Sequence, residues 1–414
     1  MTETLCPNPI GGTLEAISSK SHGHRLLICA ALADRPSEIY CPQRSADIDA
    51  TVNCLNAMGA KIDYVNQSFF VEPVKEARFG ELDCGESGST LRFLLPVVAA
   101  LGCGGEFILR GRLPRRPLSP LWELLEEKGI TLSRPAPDRL VVEGKLKGGV
   151  YSLAGNVSSQ FITGLLLALP LLEEDSEIRL TTALESAPYV ELTLAVLRLF
   201  GLRMPPFAGG WQIPGGMSYC TPGKLRVEGD WSNAAFWLCA GAISRPVTVL
   251  GLDLHSTQGD RRIAEILETF GAKVTEDPEG VTVSPGTLKG ISVDVRDIPD
   301  LVPPLALVAA CAEGTTVIRG AARLKLKESD RLESISAALR SLGGRVEVTE
   351  DGLIIQGGKL FGGRVNSAND HRIAMLGAVA SCVCSASVRV VGAEAVEKSY
   401  PDFWEDLERL QVEA

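Results

Sequence analysis

The sequence predicts an α/β protein of two similar domains, and three observations predict it. First, a chain of 414 residues is longer than one hydrophobic core usually serves. Second, a short unit, Leu-x-x-x-Gly followed by an alternating segment, recurs at Gly59, Gly129, Gly201, Gly271 and Gly343, with spacings of 70, 72, 70 and 72 residues. Third, a more apolar helical stretch recurs with nearly the same period, beginning near His24, Gly88, Ser158, Ser232, Pro299 and Asp370.

Each element follows from its residues. Leu55-Asn-Ala-Met-Gly59 and its four copies read as the ends of amphipathic helices, closed by a glycine that takes the left-handed C′ conformation without steric cost. A degenerate sixth copy, Leu407-Glu-Arg-Leu-Gln411, follows 68 residues after Gly343. The segments behind the glycines, such as Ala60 to Val65 and Ala272 to Thr275, read as strands. The Ala-rich helices of the second set read as buried on most sides. Short β-like runs follow several of them, at Glu106 to Arg110, Thr315 to Arg319 and Ser387 to Val391. Six such units are too long for solenoid repeats and divide into two globular halves of three. Pro222-Gly223 and Glu228-Gly229-Asp230 fall near the boundary between the halves.

Composition narrows the function. Hydrophobic content of 45% with 22% charge describes an ordinary folded, soluble protein. The longest apolar run, Phe161 to Leu172, is too short to span a bilayer, and Leu26 to Ala33 is too short and begins too late for a secretory leader. No membrane association is expected. A net charge of −10 argues against a general nucleic-acid binder. The 11 cysteines are scattered without a CxxC pair or a Cys/His cluster, so no metal site is expected and reduced thiols in the cytoplasm fit best. Yet Lys20 to Arg25, Arg110 to Arg116 and Arg323 to Lys327 are locally basic, as in a protein that focuses cations on a small anion.

Polar residues gather where the buried helices start. Ser18-Ser19-Lys20-Ser21 precedes the first, with Arg25 a turn inside; Gly85 to Thr90 precedes the second, with Arg92 inside. Ser158-Ser159-Gln160 opens the third and Asn369-Asp370-His371-Arg372 the sixth. Ser, Thr and Asp are ordinary N-caps. Cations at the positive end of a helix dipole are not explained by capping, and phosphate or carboxylate is their natural partner. Lys327-Glu328-Ser329-Asp330-Arg331 reads as helical, with Lys327 and Arg331 on one face, and its bland reading is a surface salt-bridge ladder. The four histidines suggest no metal site, so a carboxylate or lysine is the expected agent of proton transfer.

At these residues the chain resembles the 3-phosphoshikimate 1-carboxyvinyltransferases (5-enolpyruvylshikimate-3-phosphate synthases) of the enolpyruvyl transferase family. The resemblance runs through Ser19-Lys20-Ser21 with Arg25, Gly88 to Arg92, Arg116-Pro117, Val157 to Phe161 and Ser186 to Tyr189. It continues through Ile298-Pro299-Asp300, Lys327 to Arg331, Asn369 to Arg372 and Lys398 to Asp402. Nine motifs in one order span nearly the whole chain.

The resemblance implies two domains, each of three βαβαββ repeats, with the chain crossing twice between them. Residues 1–18 and 229–414 would form one domain and 19–228 the other, with the active site in the cleft. Shikimate 3-phosphate would be held by Lys20, Ser21, Arg25, Ser158, Ser159, Gln160, Ser186, Asp300 and Lys327. Phosphoenolpyruvate would be held by Lys20, Gly88, Arg116, Gln160, Arg331, Arg372 and Lys398. Asp300 would be the base, Glu328 the proton donor, and Lys20 a general acid or charge stabiliser. No cofactor is implied, and a monomer inhibited by glyphosate is. The sequence departs from the family pattern at Ile17-Ser18-Ser19, Glu86 and Arg323. A related enzyme acting on a UDP-linked amino sugar carries Cys or Asp where this chain has Gly111.

Overall fold

The computed structural model describes residues 1–413, with side chains to Gln411. The chain divides into two compact units, Met1–Ile17 with Glu228–Ala414, and Ser18–Val227. Twelve helices occur among the described residues. The second unit holds α1 (Lys20–Ala31), α2 (Ala46–Met58), α3 (Gly88–Leu101), α4 (Leu121–Glu127), α5 (Ser159–Ala168) and α6 (Ala187–Leu199). The first holds α7 (Trp231–Ile243), α8 (Ile263–Phe270), α9 (Val302–Cys311), α10 (Arg331–Ser341), α11 (His371–Ala380) and α12 (Phe403–Glu413).

The repeat is a βαβαββ unit. In one copy, strand Glu81–Asp83, α3, strand Gly105–Ile108, α4 and strands Ile130–Ser133 and Arg139–Gly144 follow in turn. The first two strands pair in parallel, with Glu81 opposite Glu106, and the last strand inserts antiparallel beside the second. The copies at 149–213 and 292–356 pair in the same order.

Where the chain passes between units, a repeat is assembled from distant segments. Ser37–Tyr40 finds its parallel partner in Lys224–Arg226, and Val247–Leu250 finds its own in Gly12–Glu15. The sixth repeat differs from the expected pattern. Among the described residues its sheet has three strands, and Thr2–Leu5 pairs antiparallel with Val388–Val391.

The apolar helices α1, α3, α5, α7, α9 and α11 are buried nearly throughout and form the centres of the two cores. Close approach needs small residues. A Cβ on Gly164 of α5 would fall on the Arg92 carbonyl oxygen of α3, so this glycine lets the two helices meet. The outer helices end on the repeat glycines: Gly59 and Gly271 stand at φ 115° and 107°, as left-handed caps require.

Two starts differ from expectation. The helix expected near His24 begins at Lys20, because the Ser19 hydroxyl accepts the His22 N–H. The one expected at Pro299 opens with a 3₁₀ turn, Pro299–Leu301, before α9.

Candidate active site

In the unit Ser18–Val227, the predicted residues collect at helix N-termini. Lys20 is the first residue of α1, and its Nζ lies 2.9 Å from Asp47 Oδ2 in the first turn of α2. Both side chains are only partly buried, at 17% and 16% exposure, so the lysine remains within reach of solvent. The Thr90 hydroxyl on α3 lies 3.4 Å from the Asp47 carbonyl oxygen and 2.7 Å from the Ser87 hydroxyl.

Arg92 and Arg116 converge on Gly88, the first residue of α3. A Cβ added there would lie 2.6 Å from Arg92 Nη1 and 2.7 Å from Arg116 Nη1. Two guanidinium groups beside a helix N-terminus make a strongly positive corner, with glycine leaving the space open. Arg92 is fixed from behind by donating to Gln160 Oε1 at 3.0 Å and to the Pro117 carbonyl at 3.2 Å. Gln160 in turn donates to the Ser89 hydroxyl at 2.9 Å, and Ser158 caps α5 by accepting the Gln160 N–H. Ser159, next to it, is buried.

Arg25 is placed differently. It is buried above the Phe93 ring and donates to Thr193 Oγ1 (2.8 Å), the Ser21 carbonyl (2.6 Å), the Tyr189 carbonyl (3.0 Å) and Thr163 Oγ1 (3.3 Å). Burial pulls its pKa down to about 10. A guanidinium has five N–H groups, so most of Arg25 is committed to tying α1 to α5 and α6. Ser186, which starts α6, is buried with φ 56°. A non-glycine residue in that left-handed region is uncommon and points to a functional constraint.

In the other unit, Arg331 organises the site. It is the first residue of α10 and almost fully buried. Its three nitrogens address three carboxylates: Nε to Asp370 at 2.8 Å, Nη1 to Asp300 at 2.6 Å and Nη2 to Glu328 at 2.7 Å. Burial opposes the charge, but Asp370, then Glu328 and Asp300, outweigh it and raise the arginine's pKa. Ser329 adds a hydrogen bond to Asp370 at 3.0 Å. Around Asp300 stand Lys327 Nζ at 3.6 Å and Arg372 Nε at 3.5 Å. Lys398 donates to the Asn369 carbonyl at 2.8 Å, on a turn where Ala368 and Asn369 both have positive φ.

This corrects the helical reading of 327–331. Lys327 ends a 3₁₀ turn, Ala322–Leu326, and Asp330 caps α10 by accepting the Glu333 N–H. The helix therefore starts at Arg331, and Lys327 shares no helical face with it. Nor is the segment a surface ladder, since Arg331 is buried against Asp370.

Sequence reasoning overlooked Asp47, Asp370 as an arginine partner, and Asp260. Asp47 and Asp370 read as ordinary residues of a helix start, and nothing local shows that they reach Lys20 and Arg331. Asp260 lies in Gln-Gly-Asp-Arg-Arg, which reads as a solvated turn, yet it is buried. Burial and nearby Asp300 push its carboxyl up to about 7. Two departures are also placed. Glu86 packs against Gly111 (φ 55°), where a Cβ would lie 2.6 Å from its Oε2, and Arg323 donates to the Arg296 carbonyl at 2.7 Å. Among the described residues no group of three or more His, Cys, Asp or Glu is arranged to hold a metal ion. Among the described residues no helix is long and apolar enough to cross a membrane.

Known proteins resemble this chain in sequence and in fold. Residues 6–407 match the family model for EPSP synthase (3-phosphoshikimate 1-carboxyvinyltransferase). A 3-phosphoshikimate 1-carboxyvinyltransferase of Clostridium perfringens is 42% identical over 413 residues, covering 98% of this chain and 97% of the relative. That of Clostridioides difficile is 38% identical over 421 residues, covering 98% and 96%. The EPSP synthase of Acinetobacter baumannii superposes with a TM-score of 0.82 at 28% identity, covering 99% of this chain and 98% of that one. The enolpyruvyl transferase NikO of Streptomyces tendae, at 20% identity and a TM-score of 0.79 over 99% and 97%, shares the fold. With nearly the whole chain matched in sequence and in fold, the chain belongs to the EPSP synthase (3-phosphoshikimate 1-carboxyvinyltransferase) family.

Proposed function

We propose that this chain transfers the enolpyruvyl group of phosphoenolpyruvate to the 5-hydroxyl of shikimate 3-phosphate and releases phosphate, a step on the shikimate route to chorismate and the aromatic amino acids. The observation that carries the reading is the Arg331 fork, which holds two carboxylates, Asp300 and Glu328, on separate arms of one guanidinium. Lys20, Gly88, Arg116, Gln160, Arg331, Arg372 and Lys398 face phosphoenolpyruvate, while Ser21, Arg25, Ser158, Ser159, Ser186 and Lys327 join Lys20, Gln160 and Asp300 around shikimate 3-phosphate.

The chemistry is addition followed by elimination. Asp300 takes the proton of the 5-hydroxyl as that oxygen bonds to C2 of phosphoenolpyruvate. The C2–C3 electron pair takes a proton at C3 from Glu328, and Lys20 balances charge on the adduct. Loss of a C3 proton then restores the double bond as the C2–O bond to phosphate breaks. Positive corners such as Gly88 with Arg92 and Arg116 would stabilise the departing phosphate. The reading also takes the protein as a cytoplasmic monomer.

The test is phosphate release from phosphoenolpyruvate with and without shikimate 3-phosphate, with competition by glyphosate as a second readout. Asp300→Asn and Glu328→Gln should each lower kcat by about 10²–10⁴-fold, the range typical of a lost general acid or base. Release that does not need the acceptor would defeat the assignment. Full turnover by both variants would defeat the roles.

A further inference from the structure

Asp260 is a buried carboxylate that the mechanism above leaves without a role. It stands in the turn Gly259–Arg262 ahead of α8. Its Oδ2 accepts the Ser232 hydroxyl, while its Oδ1 is buried with no hydrogen-bond partner among the described residues. Ser232, the second residue of α7, faces two ways. Its hydroxyl goes to Asp260, and its backbone carbonyl accepts Arg372 Nη1 at 3.3 Å. The same Nη1 reaches the Asp300 carbonyl at 3.4 Å, and Arg372 Nε, buried and 3.5 Å from Asp300 Oδ1, has no hydrogen-bond partner among the described residues. A buried acceptor and a buried donor are thus both left short in one corner, which costs free energy unless something completes them.

We propose that Asp260 is a positioning residue for an anion site at Arg372: through Ser232 it holds the arginine in place, and it takes up a proton when an anion binds there. The inference rests on the assignment of Arg372 to phosphoenolpyruvate given above.

The charges around Asp260 set the direction of the effect. Asp300 faces it from the start of α9, Asp230 from the cap of α7 and Arg372 from α11, with the Ser232 hydroxyl in contact. Burial and the carboxylate of Asp300 disfavour its anion; Ser232 and Arg372 favour it. An anion at Arg372 offsets the favourable cation and adds a like charge, so the neutral acid gains. By linkage, anion affinity is greatest where Asp260 is already protonated. It falls as pH rises through the titration near 7, by up to about tenfold per pH unit for one proton.

The experiment is kcat/KM for phosphoenolpyruvate at saturating shikimate 3-phosphate, from pH 6 to pH 9, together with proton uptake measured calorimetrically in two buffers of different ionisation enthalpy. Wild-type protein should lose kcat/KM above pH 7 through KM and take up a proton on binding. Asp260→Asn, which cannot ionise, should lose that slope and that uptake. Ser232→Ala, which removes a donor favouring the anion, should move the midpoint to higher pH. The same slope and uptake in Asp260→Asn overturn the proposal. If that variant does not fold, an unmoved midpoint in Ser232→Ala overturns it instead. Absence of acceptor-dependent turnover in the wild type would sink the functional reading, whereas an active wild type with a flat profile sinks this inference alone.

Discussion

Replacing Arg331 with methionine should unfold the unit Met1–Ile17 with Glu228–Ala414 at a clearly lower temperature. The change removes the counter-ion of three carboxylates at once: Asp370, fully buried, and Asp300 and Glu328, whose side chains are 15% and 21% exposed. Breaking a buried pair by deleting one partner costs about 3–5 kcal/mol, because the remaining charge stays buried. Asp370 supplies nearly all of this. The other two can turn toward water and add about 0–1 kcal/mol each. In a unit of 150–250 residues each kcal/mol moves Tm by about 2–4 °C, so the expected fall is roughly 6–28 °C. Differential scanning calorimetry suits a two-unit chain, whose units need not melt together. A second change, Asp370→Asn, should restore part of the loss. A Tm within 1–2 °C of wild type at pH 7 would refute the argument.

Gly88→Ala should raise KM for phosphoenolpyruvate by on the order of tenfold while leaving Tm nearly unchanged. The new methyl would sit 2.6 and 2.7 Å from the Arg92 and Arg116 nitrogens, which can swing aside at the expense of about one charge-assisted hydrogen bond to the anion. Unchanged KM in steady-state kinetics would remove the anion from that corner. Asp260→Asn should melt higher than wild type at pH 8, by on the order of 1–3 kcal/mol, with the gap closing toward pH 4. The native state keeps the Asp260 proton up to about pH 7 and the unfolded chain releases it near 4, so wild-type stability declines as pH rises through that window. A gap that widens in acid would contradict this.

The periodic glycines made the architecture legible, since a left-handed cap after an amphipathic helix is a local event that local sequence encodes. The segments Ser158 to Gln160 and Asn369 to Arg372 were legible as helix starts for the same reason. Pairings across long separations were not. Thr2–Leu5 meets Val388–Val391 through a register that no short window contains. Arg331 shows the limit at the site. Its neighbours Lys327 and Glu328 suggested an exposed helix, but its burial depends on Asp370 and Asp300, 39 and 31 residues away. Asp260 failed to register because a lone acid beside two arginines looks solvated, and only the third dimension surrounds it with Ser232, Asp300 and Asp230.

The strand Thr2–Leu5 has a consequence for how the protein is made. Ser18–Val227 is one continuous stretch, and its strand pair Ser37–Tyr40 with Lys224–Arg226 is separated by only about 190 residues. The N-terminal strand must instead wait for Val391, about 390 residues later, which at 5–20 residues per second is roughly 20–80 s. An unpaired apolar strand held open that long would recruit other nascent chains. Thr-Glu-Thr-Leu is short and mostly polar, a composition that lets this strand stay harmless until the sixth repeat arrives to bind it.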